Sequence, residues 1–406
     1  MAVGKGELRV DLLGWLIFLF ALLFSVMLHE SGHFATARLF GMKATRYFVG
    51  FGPTVWSAHR GETEYGVKAL PLGGFVKIIG MTSMDDVDPE DEPRSFRRAP
   101  GWQRLIVLAA GSFMHFVLAA LIISGLALGI GIENKTTQLG TVAACMPSSE
   151  TALANGAGCA AGEAKSPAVL AGLKVGDKVT SFNGVAVAYW TQLANAIKDA
   201  KPGVPIALTV QRAGKQVTLH ITLAEVKGRG GYLGVAPTTV IVFQPVGLSG
   251  AVHYVGTGFA ETISGSLSSL ARLPAAIPQL FSKDRSSTAV GNVSSVVGAA
   301  RETGQVVAAN MSWQSKVTFV LLLIASLNIF VGVFNMLPLL PLDGGHVAVV
   351  IWERLRAWFA RLRRKPDPGL VDYRKLVPVS FSIFMVLAAV GVMLILADIV
   401  NPVRIV

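Results

Sequence analysis

Leu12-Leu-Gly-Trp-Leu-Ile-Phe-Leu-Phe-Ala-Leu-Leu-Phe-Ser-Val-Met-Leu28 runs straight into His29-Glu30-Ser31-Gly32-His33. From Leu12 to Leu28 there is no charged residue, and the helical pattern continues to Leu39. Histidines four apart lie one turn apart on one helix face, so both imidazoles can reach one metal ion. Glu30 stands beside them, where it can act as base toward an attacking water. At ~1.5 Å per residue, His29 lies roughly 25 Å into the helix, so the pair sits at membrane depth. Ionisable groups there are expensive and default to a functional reading. The competing readings are an ordinary salt-bridged helix face, or a cleaved leader behind Lys5 and Arg9. Against a leader, the run is long, no small-x-small site closes it, and His-Glu follows directly.

Working outward, the 406 residues are 52% hydrophobic and 15% charged, which predicts a polytopic membrane protein carrying some soluble mass. Four apolar stretches are long enough to cross a bilayer. The predicted division is a first membrane helix within 1–39, a loop at 40–101, a second helix at 102–132, and an outer soluble domain at 133–236. A partly amphipathic linker at 237–316 follows, then a third membrane helix at 317–350, a basic loop at 351–376, and a fourth helix within 377–406. The net charge is +11, and the basic residues cluster in the two loops at 40–101 and 351–376, eight Lys and Arg in each. The positive-inside rule then puts those loops in the cytoplasm, and both termini and the soluble domain outside, in the cytoplasmic membrane of the cell. No aromatic-basic stripe or recognition motif is present, so the charge does not point to nucleic acid.

The loop at 40–101 is too apolar to float in water. Tyr47 to Pro53 and Tyr65 to Ile78 read as strands with glycine turns, which predicts a β-hairpin or small sheet dipping back into the membrane. Its edge could hold a substrate segment extended by strand addition, or the sheet could be a structural plug. In the outer region, Ser166 to Gly184 reads as a short helix, a turn, a strand and an Asn-Gly hairpin turn. A helix at Trp190–Ala200 and paired strands at Pro205–Val210 and Gln216–Leu223 complete a pattern that resembles an α+β PDZ domain. Cys145 and Cys159 lie in the same region, where they can close a disulfide or remain free thiols.

A catalytic zinc takes three protein ligands and keeps one open position. The third candidate is Asp343, in Asn335-Met-Leu-Pro338-Leu-Leu-Pro341-Leu-Asp343-Gly-Gly-His346. A carboxylate among apolar residues is costly unless it is paired or holds a metal; its alternative role is a helix N-cap.

Together, these motifs make the chain resemble the site-2 protease family of intramembrane zinc metalloproteases, most closely the actinobacterial branch with a single PDZ domain. The likeness runs along almost the whole chain. It implies one zinc ion per chain, held by His29, His33 and Asp343, with Glu30 as general base. It implies substrate positioning by Asn335, Pro338, Gly50 and Gly52; Asn328, seven residues before Asn335 on the same helix face, would extend that polar lining. It implies regulated intramembrane proteolysis. The substrates would be single-span membrane proteins trimmed beforehand by an upstream site-1 protease, with membrane-bound anti-sigma factors of stress signalling as the typical case. Remnant signal peptides are a further class. One departure is His115, in Gly111-Ser112-Phe113-Met114-His115, where family members often carry Gly-Pro-x-x-Asn. The alternative from another class is a membrane-anchored PDZ module that binds peptides, its metal site structural or vestigial.

Overall fold

The computed structural model describes residues 5–82, 84–146, 164–226, 230–277, 280–281 and 295–401. Helix α1 (Lys5–Leu39) is followed by strands β1 (Ala44–Arg60) and β2 (Thr63–Ile78) and by α2 (Gly101–Gly129). Next come β3 (Ile132–Lys135), β4 (Leu139–Val142), α3 (Pro167–Leu170), β5 (Lys178–Phe182) and β6 (Val185–Ala186). Then follow α4 (Trp190–Asp199), β7 (Pro205–Arg212), β8 (Lys215–Thr222), β9 (Ala224–Val226), β10 (Gly230–Tyr232), β11 (Val235–Pro237) and β12 (Ile241–Gln244). Among the described residues, five α-helices follow: α5 (Leu248–Ala276), α6 (Val296–Ala308), α7 (Trp313–Asn335), α8 (Asp343–Leu362) and α9 (Val377–Val400). The chain divides into two units, one of Met1–Ala127 with Gly247–Val406, the other of Leu128–Val246.

In the first unit, among the described residues, four helices are long and apolar enough to cross a bilayer: Leu12–Leu39, Gly101–Gly129, Trp313–Asn335 and Val377–Val400. The exposed positions on these helices are large and apolar, as at Phe20, Phe24, Phe113, Leu121, Phe381 and Phe384. That is the pattern of helices whose outer face meets acyl chains. Phe18 of α1 packs on Ala299 and Ala300 of α6. Ala37, Met42, Ile78, Phe96, Val107 and Val350 form a second cluster that joins α1, the hairpin, α2 and α8.

The stretch expected as one helix at 317–350 is two. Helix α7 stops at Asn335, and α8 starts afresh at Asp343. Pro338 and Pro341 lack the N–H that a continuing helix would need. A Cβ on Gly345 would come within 2.6 Å of the Leu340 nitrogen, and one on Gly344 would overlap Met336, so the glycines let α8 fold against the turn. Helix α8 also runs on to Leu362, into the stretch expected as loop. It is held there by a buried ion pair, Arg104 Nη1 to Glu353 Oε2 at 2.8 Å, and Glu353 Oε1 accepts from the Val371 N–H at 2.9 Å.

In the second unit, β6-β5-β7-β8 form an antiparallel sheet. Val179, Phe182, Leu208, Val210 and Ile221 from the strands pack with Ala168, Leu193 and Ile197 from α3 and α4. The expected Asn-Gly turn is present: Asn183 at φ 49° and Gly184 at φ 83° join β5 to β6, the left-handed pair that suits strand twist. Ala213 and Gly214 make the same kind of turn between β7 and β8. Ser166 caps α3 by accepting from the Val169 N–H. Cys145 lies beside Lys165 in a β-bridge. Cys159 is outside the described residues, and with it the expected disulfide.

Candidate metal centre

Helix α1 carries His29 and His33 into the interior, both buried, with their Nε2 atoms 3.1 Å apart. Asp343 reaches them from the first turn of α8, its Oδ2 3.2 Å from His29 Nε2 and 3.4 Å from His33 Nε2. One ligand atom from each of the three lies within 4.8 Å of the others. The capping alternative for Asp343 does not hold, because the N-cap of α8 is Leu342. Instead the carboxylate sits at the positive end of the helix dipole.

The hydrogen bonds around the trio fit a cation. His33 Nδ1 lies 2.7 Å from the Val107 carbonyl oxygen, which can only accept, so Nδ1 carries the proton. In the neutral ring, Nε2 then presents a bare lone pair toward a carboxylate oxygen. Two acceptors facing one another repel unless a positive charge lies between them. This is the arrangement in which metal-bound imidazoles are oriented by their second nitrogen. Two imidazoles and a carboxylate are also the donor set of a zinc site with one position left open. Close helix packing makes the room: a Cβ on Gly111 of α2 would collide with His33 Nε2 and come within 2.6 Å of His29 Cε1. One on Gly32 would come within 2.5 Å of the Ala110 carbonyl oxygen.

Glu30 is turned to the hairpin. Its Oε2 accepts from the Val76 N–H of β2 at 3.0 Å. Tyr47 of β1 donates to the Met27 carbonyl at 3.0 Å and lies 2.7 Å from Ser31 Oγ. Burial pushes the Tyr47 hydroxyl up from its ordinary value, which keeps it a neutral donor. The hairpin is folded over on itself: Tyr47 is registered against both Val76 and Tyr65, and Phe48 against both Phe75 and Gly66. Gly50 at φ 85° and Gly52 at φ 86° bend β1 to permit this. The stretch around Val76 thus lies next to Glu30.

Of the polar residues expected to line the site, Asn328 is the one joined to it. Its Nδ2 donates to the Ile324 carbonyl at 2.8 Å, which turns Oδ1 toward His115 Nδ1, also 2.8 Å away. Ser25 Oγ donates to the same oxygen, and the His115 ring lies 4.9 Å from that of His29. Asn335 and Pro338 stand at the end of α7 and in the turn beyond it, and Gly50 and Gly52 at the hairpin bend. His346 lies 3.3 Å from the Tyr373 hydroxyl and stacks on that ring. His59, His220 and His253 are exposed. Sequence reasoning missed Ser25, although it is a lone hydroxyl in an apolar run, four residues before His29. It gave no role to Gly111, whose part depends on how two helices meet.

Peptidase family M50 matches residues 17–365. The zinc metalloprotease Rip1 of Mycobacterium tuberculosis is 34% identical over 417 residues, covering 96% of this chain and 98% of that protein. The Rip1 of Mycolicibacterium smegmatis is 35% identical over 422 residues, covering 97% and 98%. A putative zinc metalloprotease of Nostoc sp. is 27% identical over 366 residues, covering 89% and 91%. The binding-module alternative gives way to an enzyme. With three zinc-type donors converging beside Glu30 and four helices fit to span a bilayer, the chain belongs to peptidase family M50 as a multi-pass membrane zinc metalloprotease.

Proposed function

We propose that this protease cuts single-span membrane proteins within or near the bilayer of the cytoplasmic membrane, with His29, His33 and Asp343 holding the zinc and Glu30 as general base. The convergence of those three donors from α1 and α8, with Glu30 alongside, supports the reading. Bound there, zinc would polarise the scissile carbonyl and acidify the attacking water. Glu30 Oε2 takes the proton of that water and returns it to the leaving amine. A substrate helix hides its carbonyls in its own hydrogen bonds, so it must open before it can be cut. The hairpin, read as a membrane-reentrant element, offers replacement partners along the β2 edge near Val76, beside Glu30. Asn328, through His115, steadies the wall of the site behind His29; Asn335, Pro338, Gly50 and Gly52 are read as aligning the substrate.

The second unit is read as a PDZ domain outside the cell membrane, with both termini on the same side. Its sheet flanked by two short helices supports that reading. It would bind or exclude substrates by the length of their outer segment. Anti-sigma-type proteins trimmed by an upstream protease are the favoured substrates, with remnant signal peptides as a second class.

The test uses the full chain in lipid nanodiscs with a trimmed single-span anti-sigma-type protein. Glu30→Gln should retain zinc while cleavage falls by roughly 10²–10⁴-fold. Undiminished cleavage by that variant would remove Glu30 from the base role.

A further inference from the structure

Helix α5 follows the second unit in sequence and was expected to be, at most, an amphipathic segment on the membrane surface. One side of its middle packs on two of the spans. Tyr254, Val255, Phe259 and Ile263 meet Ala119 and Ile123 of α2 and Ala325 and Ile329 of α7. The Phe259 ring lies 6.2 Å from that of Phe116, and a Cβ on Gly258 would touch Ile123. Counting ~1.5 Å per residue from Gly129, Ile123 is about 9 Å and Phe116 about 20 Å down span α2. Counting from Trp313 in the same way, Ala325 is about 18 Å along α7. The middle of α5 therefore lies within the hydrocarbon thickness.

The outward face of this helix is unlike that of the spans. Thr257, Glu261, Ser264, Ser268 and Arg272 are exposed along it beside the apolar Val252 and Leu267, with His253 at the near end. The outward face of α9, by contrast, presents Phe381, Phe384, Met385, Val386, Leu396 and Ile399. Thr257 and Ser264 satisfy their hydroxyls on the helix backbone, through the carbonyls of His253 and Glu261, as lipid-facing residues can. Glu261 has no such recourse: among the described residues, no hydrogen bond or ion pair engages its carboxylate. A carboxylate turned to acyl chains is expensive, and such groups face water-filled cavities.

We infer that the outward face of α5 forms one wall of an aqueous recess that reaches bilayer depth. The inner face of the same helix touches Phe116, the neighbour of His115, whose ring is 4.9 Å from His29. The body of α5 and the Phe116 ring stand between that recess and the metal site.

Single-cysteine variants of the full chain in lipid nanodiscs, which leave both membrane faces open, test this. Thr257→Cys and Glu261→Cys are treated with a charged, water-soluble thiol reagent and read by mass, with Leu121→Cys on the apolar face of α2 as reference. Both should react at least roughly tenfold faster than the reference, since the reagent cannot enter hydrocarbon. Phe116→Cys with Phe259→Cys, oxidised together, should cross-link, which checks the depth. Rates for Thr257→Cys and Glu261→Cys as slow as for Leu121→Cys would mean that lipid or protein covers the face, and the recess would fall. Fast labelling without the cross-link would return α5 to the membrane surface and overturn the inference equally.

Discussion

In the unit Leu128–Val246 the interior is Val179, Phe182, Leu193, Leu208, Val210 and Ile221. In the unit of α1, α2 and α5–α9, Ser25, His29, His33, His115, Asn328 and Glu353 are buried, while Leu16, Phe20, Leu121, Phe384 and Ile399 face outward. The difference follows from what each surface meets. Water rewards the burial of apolar area, so the first kind of core is hydrophobic. Lipid is as apolar as leucine and gives helices no such reward for associating, so packing and polar contacts hold them together. A polar interior at that depth is also what a hydrolytic site requires. The same inversion makes the outward face of α5 conspicuous, because it obeys neither the lipid rule nor the core rule.

The comparison can be broken by substitution, taking the largest expected effects first. Arg104→Ala would leave Glu353 buried without its cation, and removal of one partner from a buried pair costs about 3–5 kcal/mol. The loss should be read as a lowered unfolding temperature, with faster hydrogen exchange in α8. Unchanged exchange would mean that the pair does not hold α8 in place. Leu208→Ala removes a fully buried side chain from the apolar core and should cost about 2–5 kcal/mol. Hydrogen exchange should quicken in β5, β7 and β8, while zinc content stays unchanged.

A pH effect sharpens the contrast on the water-facing side. Arg212 grips Asp177 with two nitrogens, at 2.8 and 2.7 Å, and holds its carboxyl below the usual carboxylate range. A lowered folded-state value gives stability that is present above the unfolded carboxylate value, near ~3.9, and lost as pH falls through the folded one. Asp177→Asn should therefore flatten the acid limb of the stability curve for this unit and leave cleavage chemistry alone. An acid limb as steep as in the unaltered protein would rule the pair out as its cause. The smallest effect belongs to the lipid face: Phe381→Ala on α9 should change stability by no more than about 0.5 kcal/mol, as at a surface position. A larger loss would show that α9 packs against a partner there.

The four membrane-length helices were legible because twenty-odd apolar residues without charge admit few other structures in a bilayer. So was the pairing of His29 with His33, since the helical period alone puts residues four apart on one face. The Asn183-Gly184 turn and the paired strands beyond it were equally local, set by backbone conformations that those residues prefer. What the sequence by itself determined was therefore whatever depends on neighbours a few residues away. The tertiary structure decided the rest: that Asp343, named by its motif as ligand or cap, reaches the histidines from 310 residues along the chain (343 − 33); how the Val107 carbonyl fixes the His33 proton; and why α2 needs Gly111 where two helices cross. It also divided 317–350 at the Met336–Leu342 turn and packed α5 against α2 and α7. Each of these is a contact between distant segments, and periodicity carries no information about which faces will meet.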